Sequence, residues 1–180
     1  RMRDTEKLNR ALRDLAGRLD PEEVAAAACA FLAEAARPAR VLAVIPRREG
    51  GVAVVDSRAE GVKHLEPGEM PLLEEVFAEP GREIPAEAFA PLVEPGDRVR
   101  AVPMTTGEKR VGLFLLLARE GLPELDANFL GTLAGQAAAA LENARLFRLA
   151  VEDPLTGAYV AAYFRERLGQ EVERSLDRKS

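Results

Sequence analysis

The chain has 180 residues, 47% apolar and 31% charged, enough to build one domain with a buried core and a remainder. Its net charge of −5, with no cluster of Lys and Arg standing out, excludes an electrostatic case for nucleic acid or an anionic membrane. The longest apolar run, Val111 to Ala118, is far short of the roughly 20 residues a membrane helix needs. A soluble, cytoplasmic protein is expected, and the single cysteine, Cys29, fits a reducing compartment because it cannot form an internal disulfide. The opening on Arg1 and the charged end suggest a piece of a longer protein.

Residues 1–19 place Leu8, Leu12, Leu15 and Leu19 four, three and four apart among charged residues, which predicts a narrow-striped helix and a coiled-coil-like arm. Asp20 as N-cap, Pro21 at the first helical position and Glu23 three after the cap then start a second helix, which runs to about Arg37. ARVLAVIP and GVAVVDS, joined by RREGG, predict a hairpin over 39–57. From Arg58 to Pro95 the pattern is irregular. Proline-glycine turns recur at Glu66, Glu79 and Glu94, with a short helix over Met70–Ala78, an extended piece at Glu83–Ile84 and a helical turn over Ala86–Val93. Val99–Met104 and Arg110–Ala118 flank TTGEK as a second hairpin.

A long helix follows, from Asp126 to Glu152. Leu130, Leu133, Ala137, Ala140, Ala144, Phe147 and Val151 alternate three and four apart, the spacing of a seam that asks for a partner. At about 1.5 Å per residue this helix reaches roughly 40 Å, a domain's diameter. The order predicts an α+β fold: an antiparallel sheet with helices on its faces, flanked by long N- and C-terminal helices.

That order, with RAVPMTTGEKRVGLFLLLA and NFLGTLAGQAAAALENARLF, resembles a GAF domain over residues 20–150, with the linker helix at about 126–152. The resemblance implies a small-molecule sensor and dimerisation module. Residues 153–180, DPLTGAYVAAYFRERLGQ and onward, resemble the start of a GGDEF domain, the diguanylate cyclase fold, with Asp153, Leu155, Thr156 and Gly157 matching its opening motif. The family's guanine-reading asparagine falls on Val160, its paired arginines on Ala161 and Ala162, and its second guanine-reading aspartate on Gly169. Valine and glycine offer the base edge no hydrogen bond, so poor GTP binding is expected of the complete domain.

No catalytic set is present. His64, the only histidine, lacks both a nucleophile elbow and a second nitrogen or sulfur ligand, and its turn-rich stretch GVKHLEPG reads as a loop. Neither a metal nor a cofactor is expected. Cys29, in the alanine-rich helix, reads as an inert buried thiol. Arg98 and Arg100 alternate on a strand and share one sheet face, where they either clamp an anion or face solvent. With His64 they are the pocket candidates. The leading expectation is a homodimeric regulatory module, with a ligand of unidentified kind left open, which relays a signal to a degenerate output domain. The alternatives are the regulatory part of an active diguanylate cyclase making cyclic di-GMP, and a domain that only dimerises. This fragment is not expected to be an enzyme.

Overall fold

A computed structural model describes residues 2–79, 81–152 and 156–179. The elements are α1 (Met2–Ala16), α2 (Pro21–Ala35), β1 (Arg40–Pro46), β2 (Val52–Asp56), β3 (Val62–Leu65), α3 (Pro71–Ala78), a short 3-10 helix (Ala86–Phe89), β4 (Arg98–Thr106), β5 (Lys109–Ala118), α4 (Ala127–Glu152) and α5 (Thr156–Lys179). The five strands form one sheet in the order β3-β2-β1-β5-β4, every neighbouring pair antiparallel. The fold is α+β, as the element order predicts.

Strands β1 and β5 lie at the centre, and their near-continuous apolar runs follow from burial on both faces. On one face Val41, Ala43, Ile45, Phe114 and Leu116 pack beneath α2 and α4. On the other Leu42, Val44, Leu113, Leu115 and Leu117 pack with Leu73 and Val76 of α3 and Phe89 of the 3-10 helix. The period-2 alternation of a strand sends successive residues of one run to two separate cores.

Local chemistry sets the element ends. Asp20 accepts the Glu22 N–H at 3.0 Å to cap α2, and Asp126 accepts the N–H groups of Asn128 and Phe129 at 2.8 and 3.0 Å to cap α4. Gly107, with φ +57°, is the first of the two residues between β4 and β5, where a II′-type hairpin requires a positive φ. Arg110, buried at the start of β5, donates from Nη1 to the Val76 carbonyl at 2.8 Å and from Nη2 to the Arg82 carbonyl at 3.3 Å. It thereby satisfies a last-turn carbonyl of α3 and ties that helix to the sheet.

Two features depart from the sequence expectation. The segment read as loop around His64 contains β3, a four-residue edge strand with Val62↔Val55, Lys63↔Val54, His64↔Ala53 and Leu65↔Val52 in register with β2. Its two central residues are exposed, so no alternating apolar pattern marks it in the sequence. The N-terminal helix stops at Ala16, so Leu19 lies beyond it.

Gly51 explains how β3 finds its place. With φ +71° it lies so close to β3 that a Cβ would stand 2.0 Å from the Leu65 carbonyl oxygen. Gly51→Ala should cost about 2 kcal/mol or more by combining left-handed strain with a backbone clash. Gly61→Ala, at φ +78° with nothing within 4 Å of the added carbon, should cost only about 1 kcal/mol. Urea denaturation of the two variants checks the difference.

Candidate functional site

The space between the sheet and the short helices is filled by side chains. Leu73 and Val76 are fully buried there, with Met70, Ala88 and Phe89 close to it, and Ile84, Leu92 and Val93 complete the packing. The clefts open instead on the α2 and α4 side.

One cleft, of about 570 Å³, lies between α2 and the β2–β3 turn, with Cys29, Arg37, Asp56 and Arg58 among its lining residues. Asp56 is held by Arg40, whose Nε reaches both carboxylate oxygens at 3.1 Å and whose Nη2 lies 2.5 Å from Oδ2. Burial pushes the Asp56 carboxyl up, but the hydrogen bonds from Arg40 and the Arg58 N–H outweigh it and hold the group below the usual carboxylate range. Burial, aided by the Asp56 charge, pushes the Cys29 thiol up to about 12. Its Sγ donates to the Val41 carbonyl at 3.4 Å. With an ordinary thiol near 9, Cys29 should present roughly a thousandfold less thiolate. A thiol reagent at pH 8 should therefore leave the folded chain unlabelled for hours and label it fully in urea.

A second cleft, of about 290 Å³, lies where the C-terminal part of α4 meets the β1–β2 turn and β3. Arg47 and Arg48 reach it from the turn, Arg145 and Arg148 from α4, and His64 from β3. His64 Nε2 stands 2.6 Å from Glu22 Oε1 at the start of α2.

The sequence candidates are therefore separated. His64 sits on β3 and Arg98 and Arg100 on β4, at opposite borders of the sheet and roughly 19 Å apart at a strand spacing near 4.8 Å. Both arginines are exposed. In the register they face Ala118 and Leu116, which places them on the α4 side rather than over the short helices. The arginines of the 290 Å³ cleft were not singled out from the sequence: Arg47 and Arg48 fall within the RREGG turn, and Arg145 and Arg148 lie on the long helix outside its apolar seam. No local signal joins two pairs about a hundred positions apart. Among the described residues no group of three or more His, Cys, Asp or Glu side chains could hold a metal, and no helix is long and apolar enough to cross a membrane.

The striped helices divide by burial. Leu130, Leu133, Ala137, Ala140 and Ala144 are buried within this chain beside α2 and the sheet, as is Leu15 of α1, with Leu12 packed against the same core. Leu8 and Phe147 are half-buried, while Leu19 and Val151 are exposed. The solvent side of α4 carries Gly131, Gly135, Ala139 and Asn143, then Leu146, Leu149 and Val151. Asp153 and Leu155 lie outside the described residues, and Thr156 and Gly157 open α5. From Ala162 to Lys179 every side chain of α5 is exposed; Phe164 meets Phe147 of α4 edge-on, with ring centroids 6.2 Å apart.

No known family profile matches the sequence, and no curated protein matches it. Solved structures do match. The GAF domain of the potassium sensor histidine kinase KdpD from Escherichia coli is 21% identical, with a TM-score of 0.54 over 82% of this chain and 99% of that one. The GAF domain of an Acinetobacter phosphoenolpyruvate-protein phosphotransferase is 13% identical, with a TM-score of 0.54 over 79% and 95%. A far-red absorbing dark-state protein with bound biliverdin is 17% identical, with a TM-score of 0.50 over 77% and 99%. At these identities the likeness speaks for architecture: the chain has a GAF-like fold, a five-stranded antiparallel sheet with helices on both faces.

Proposed function

We propose that this chain is the regulatory, sensory part of a bacterial-type signalling protein, dimerising through its terminal helices and relaying a signal along α4 into an output domain of GGDEF type that opens at Asp153. The observation that carries the reading is α5. Its Phe164, Leu168, Val172 and Leu176 recur four apart, and all are 48–63% exposed. An apolar stripe on an otherwise charged helix is costly to leave in water, and a second copy of the same helix would cover it. Leu146, Leu149 and Val151 continue the exposed apolar surface back onto α4. The seam inside the domain, Leu130 to Ala144, is occupied by the chain's own core, so the two-chain contact falls on α5 and the end of α4. Two packings of such a bundle that differ little in energy give the relay its switch, provided the signal favours one of them.

The output domain's motif, with Val160 and Gly169 at guanine-reading positions, supports a silent effector over an active diguanylate cyclase. A second reading, a domain that dimerises and takes no ligand between sheet and short helices, is favoured by the aliphatic packing of that space. Sedimentation velocity at micromolar concentration tests the core of the proposal: a dimer is expected for the chain, and a monomer for Leu168→Glu with Val172→Glu. A chain that sediments as a monomer overturns it. Nucleotide turnover by the longer protein, expected to be absent, separates the silent effector from the cyclase.

A further inference from the structure

We propose that the groove between α1, α2 and the start of α4 binds a small aromatic zwitterion, a molecule with a flat apolar body, an ammonium group and a carboxylate. At about 890 Å³ this groove is larger than the two clefts described above. Ala11 of α1, Phe31 and Ala35 of α2, and Leu125 and Phe129 at the start of α4 supply its apolar lining. The two phenylalanine rings stand with centroids 6.1 Å apart, tilted by 39°. Both pack against the core beneath α2 and α4, yet both remain half-buried, as does Leu125.

The gap has a local cause. Lys7, Arg10, Ala11 and Asp14 recur three and four apart, so one face of α1 borders the groove while Leu12 and Leu15 pack into the core. Of the α1 residues on that border only Ala11 is apolar, and its methyl group is too short to cover two rings. Half-buried aromatic surface in a concave space gains from a further ring laid against it, in the tilted or offset geometry that aromatic pairs prefer.

Charge sets the polarity of the occupant. Asp14 is taken by Arg18, whose Nη2 lies 3.0 Å from Oδ2, and Asp126 by the N–H groups that open α4. That leaves Lys7 and Arg10 on α1, and Glu34 and Glu124 on α2 and the segment before α4. None of these four side chains makes a hydrogen bond or an ion pair among the described residues. Cations stand on one wall and carboxylates on the other in equal number, so the groove has a polarity rather than a net charge. An occupant of one sign meets one favourable wall and one unfavourable wall, whereas a zwitterion meets both favourably. All four groups are exposed, so each contact adds little, and burial of the aromatic body supplies most of the affinity. A dissociation constant of about 0.1–1 mM is expected for a ligand of amino-acid size. The groove lies apart from α5, so this binding does not depend on the pairing of two chains.

Titration of the isotope-labelled whole 180-residue chain with L-tryptophan, followed by amide NMR signals, tests the site. Signals around Ala11, Phe31 and Phe129 should move together and saturate at one ligand per chain. Tryptamine, which keeps only the ammonium, and indole-3-propionate, which keeps only the carboxylate, should each bind about threefold or more weaker. Ala11→Phe, which fills the groove without touching a charge, should abolish saturable binding while leaving the melting temperature at or above the parent's. Should that variant fold poorly, Ala11→Leu carries the same comparison, with a loss of about tenfold expected. The double variant Glu34→Gln with Glu124→Gln should hold tryptophan no better than the parent holds indole-3-propionate. The proposal is overturned if tryptophan shows no saturable binding, if either singly charged analogue binds as tightly, or if the Ala11 variants bind as the parent does. It is also overturned if the same signals move when the protein alone is concentrated, which would give the groove to a second copy of the chain.

Discussion

Phe114→Ala is expected to lower the unfolding free energy by about 3–5 kcal/mol, as for other large buried aromatics cut back to a methyl group. Phe114 is 1% exposed on β5, opposite Ala43 of β1 on one side and Val102 of β4 on the other, and its ring belongs to the core beneath α2 and α4. That core is rich in alanine, including Ala28, Ala43, Ala137 and Ala138, whose side chains are too short to reach into the vacated volume. The pairings of β5 on both edges resist collapse of the backbone, so the cavity stays open. For a domain of this size each kcal/mol corresponds to roughly 2–4 °C, giving a melting point lower by about 6–20 °C. Urea and thermal denaturation check this together, and Phe114→Leu should recover more than half of the loss.

Arg110→Met is expected to cost about 2–4 kcal/mol, although methionine keeps much of the side chain's apolar length. The loss comes from two carbonyls. Val76 is in the last turn of α3 and Arg82 is in the loop beyond it, and each loses the guanidinium donor that satisfies it. The buried Val76 acceptor left without a donor bears the full cost of desolvation, while the part-buried Arg82 carbonyl can turn to water. Arg110→Lys should restore only part of the stability, since one ammonium cannot span both carbonyls with a fork's geometry. Hydrogen exchange distinguishes this from general loosening: amides of α3 and the loop after it should speed up, while those of α4 keep the parent's protection.

The central architecture is legible because burial writes itself into the sequence by period. The run VGLFLLLA, set beside the TTGEK turn, reads as a strand, and the three-four spacing from Leu130 to Ala144 reads as a helix with one face covered. The helix caps at Asp20 and Asp126 are equally local. What covers each face is a different matter. The stripe from Leu130 meets the chain's own sheet, and a stripe at a, d spacing looks the same whether its partner is a sheet or another helix.

β3 escapes sequence reading because its strand character comes from pairing with β2 and from the close approach at Gly51, not from its own four residues. The arginine cleft escapes for a related reason. Its charges stand on segments about a hundred positions apart, and each pair alone looks like ordinary solvent-facing polarity. The pocket candidates show the converse: Arg98, Arg100 and His64 all carry nitrogen donors, yet the strand order sends them to opposite borders.

Those borders have a further effect. A strand with one unpaired side is a template on which a neighbouring molecule can polymerise, and this sheet has two of them. β3 offers only four residues, with Lys63 in its middle, and β4 carries Pro103, which has no N–H to donate, beside two charged guanidinium groups. Lysine, arginine and proline at such positions discourage fibre growth by sheet extension. That leaves the helical surfaces, rather than the sheet's borders, as the faces on which the proposed pairing of two chains would form.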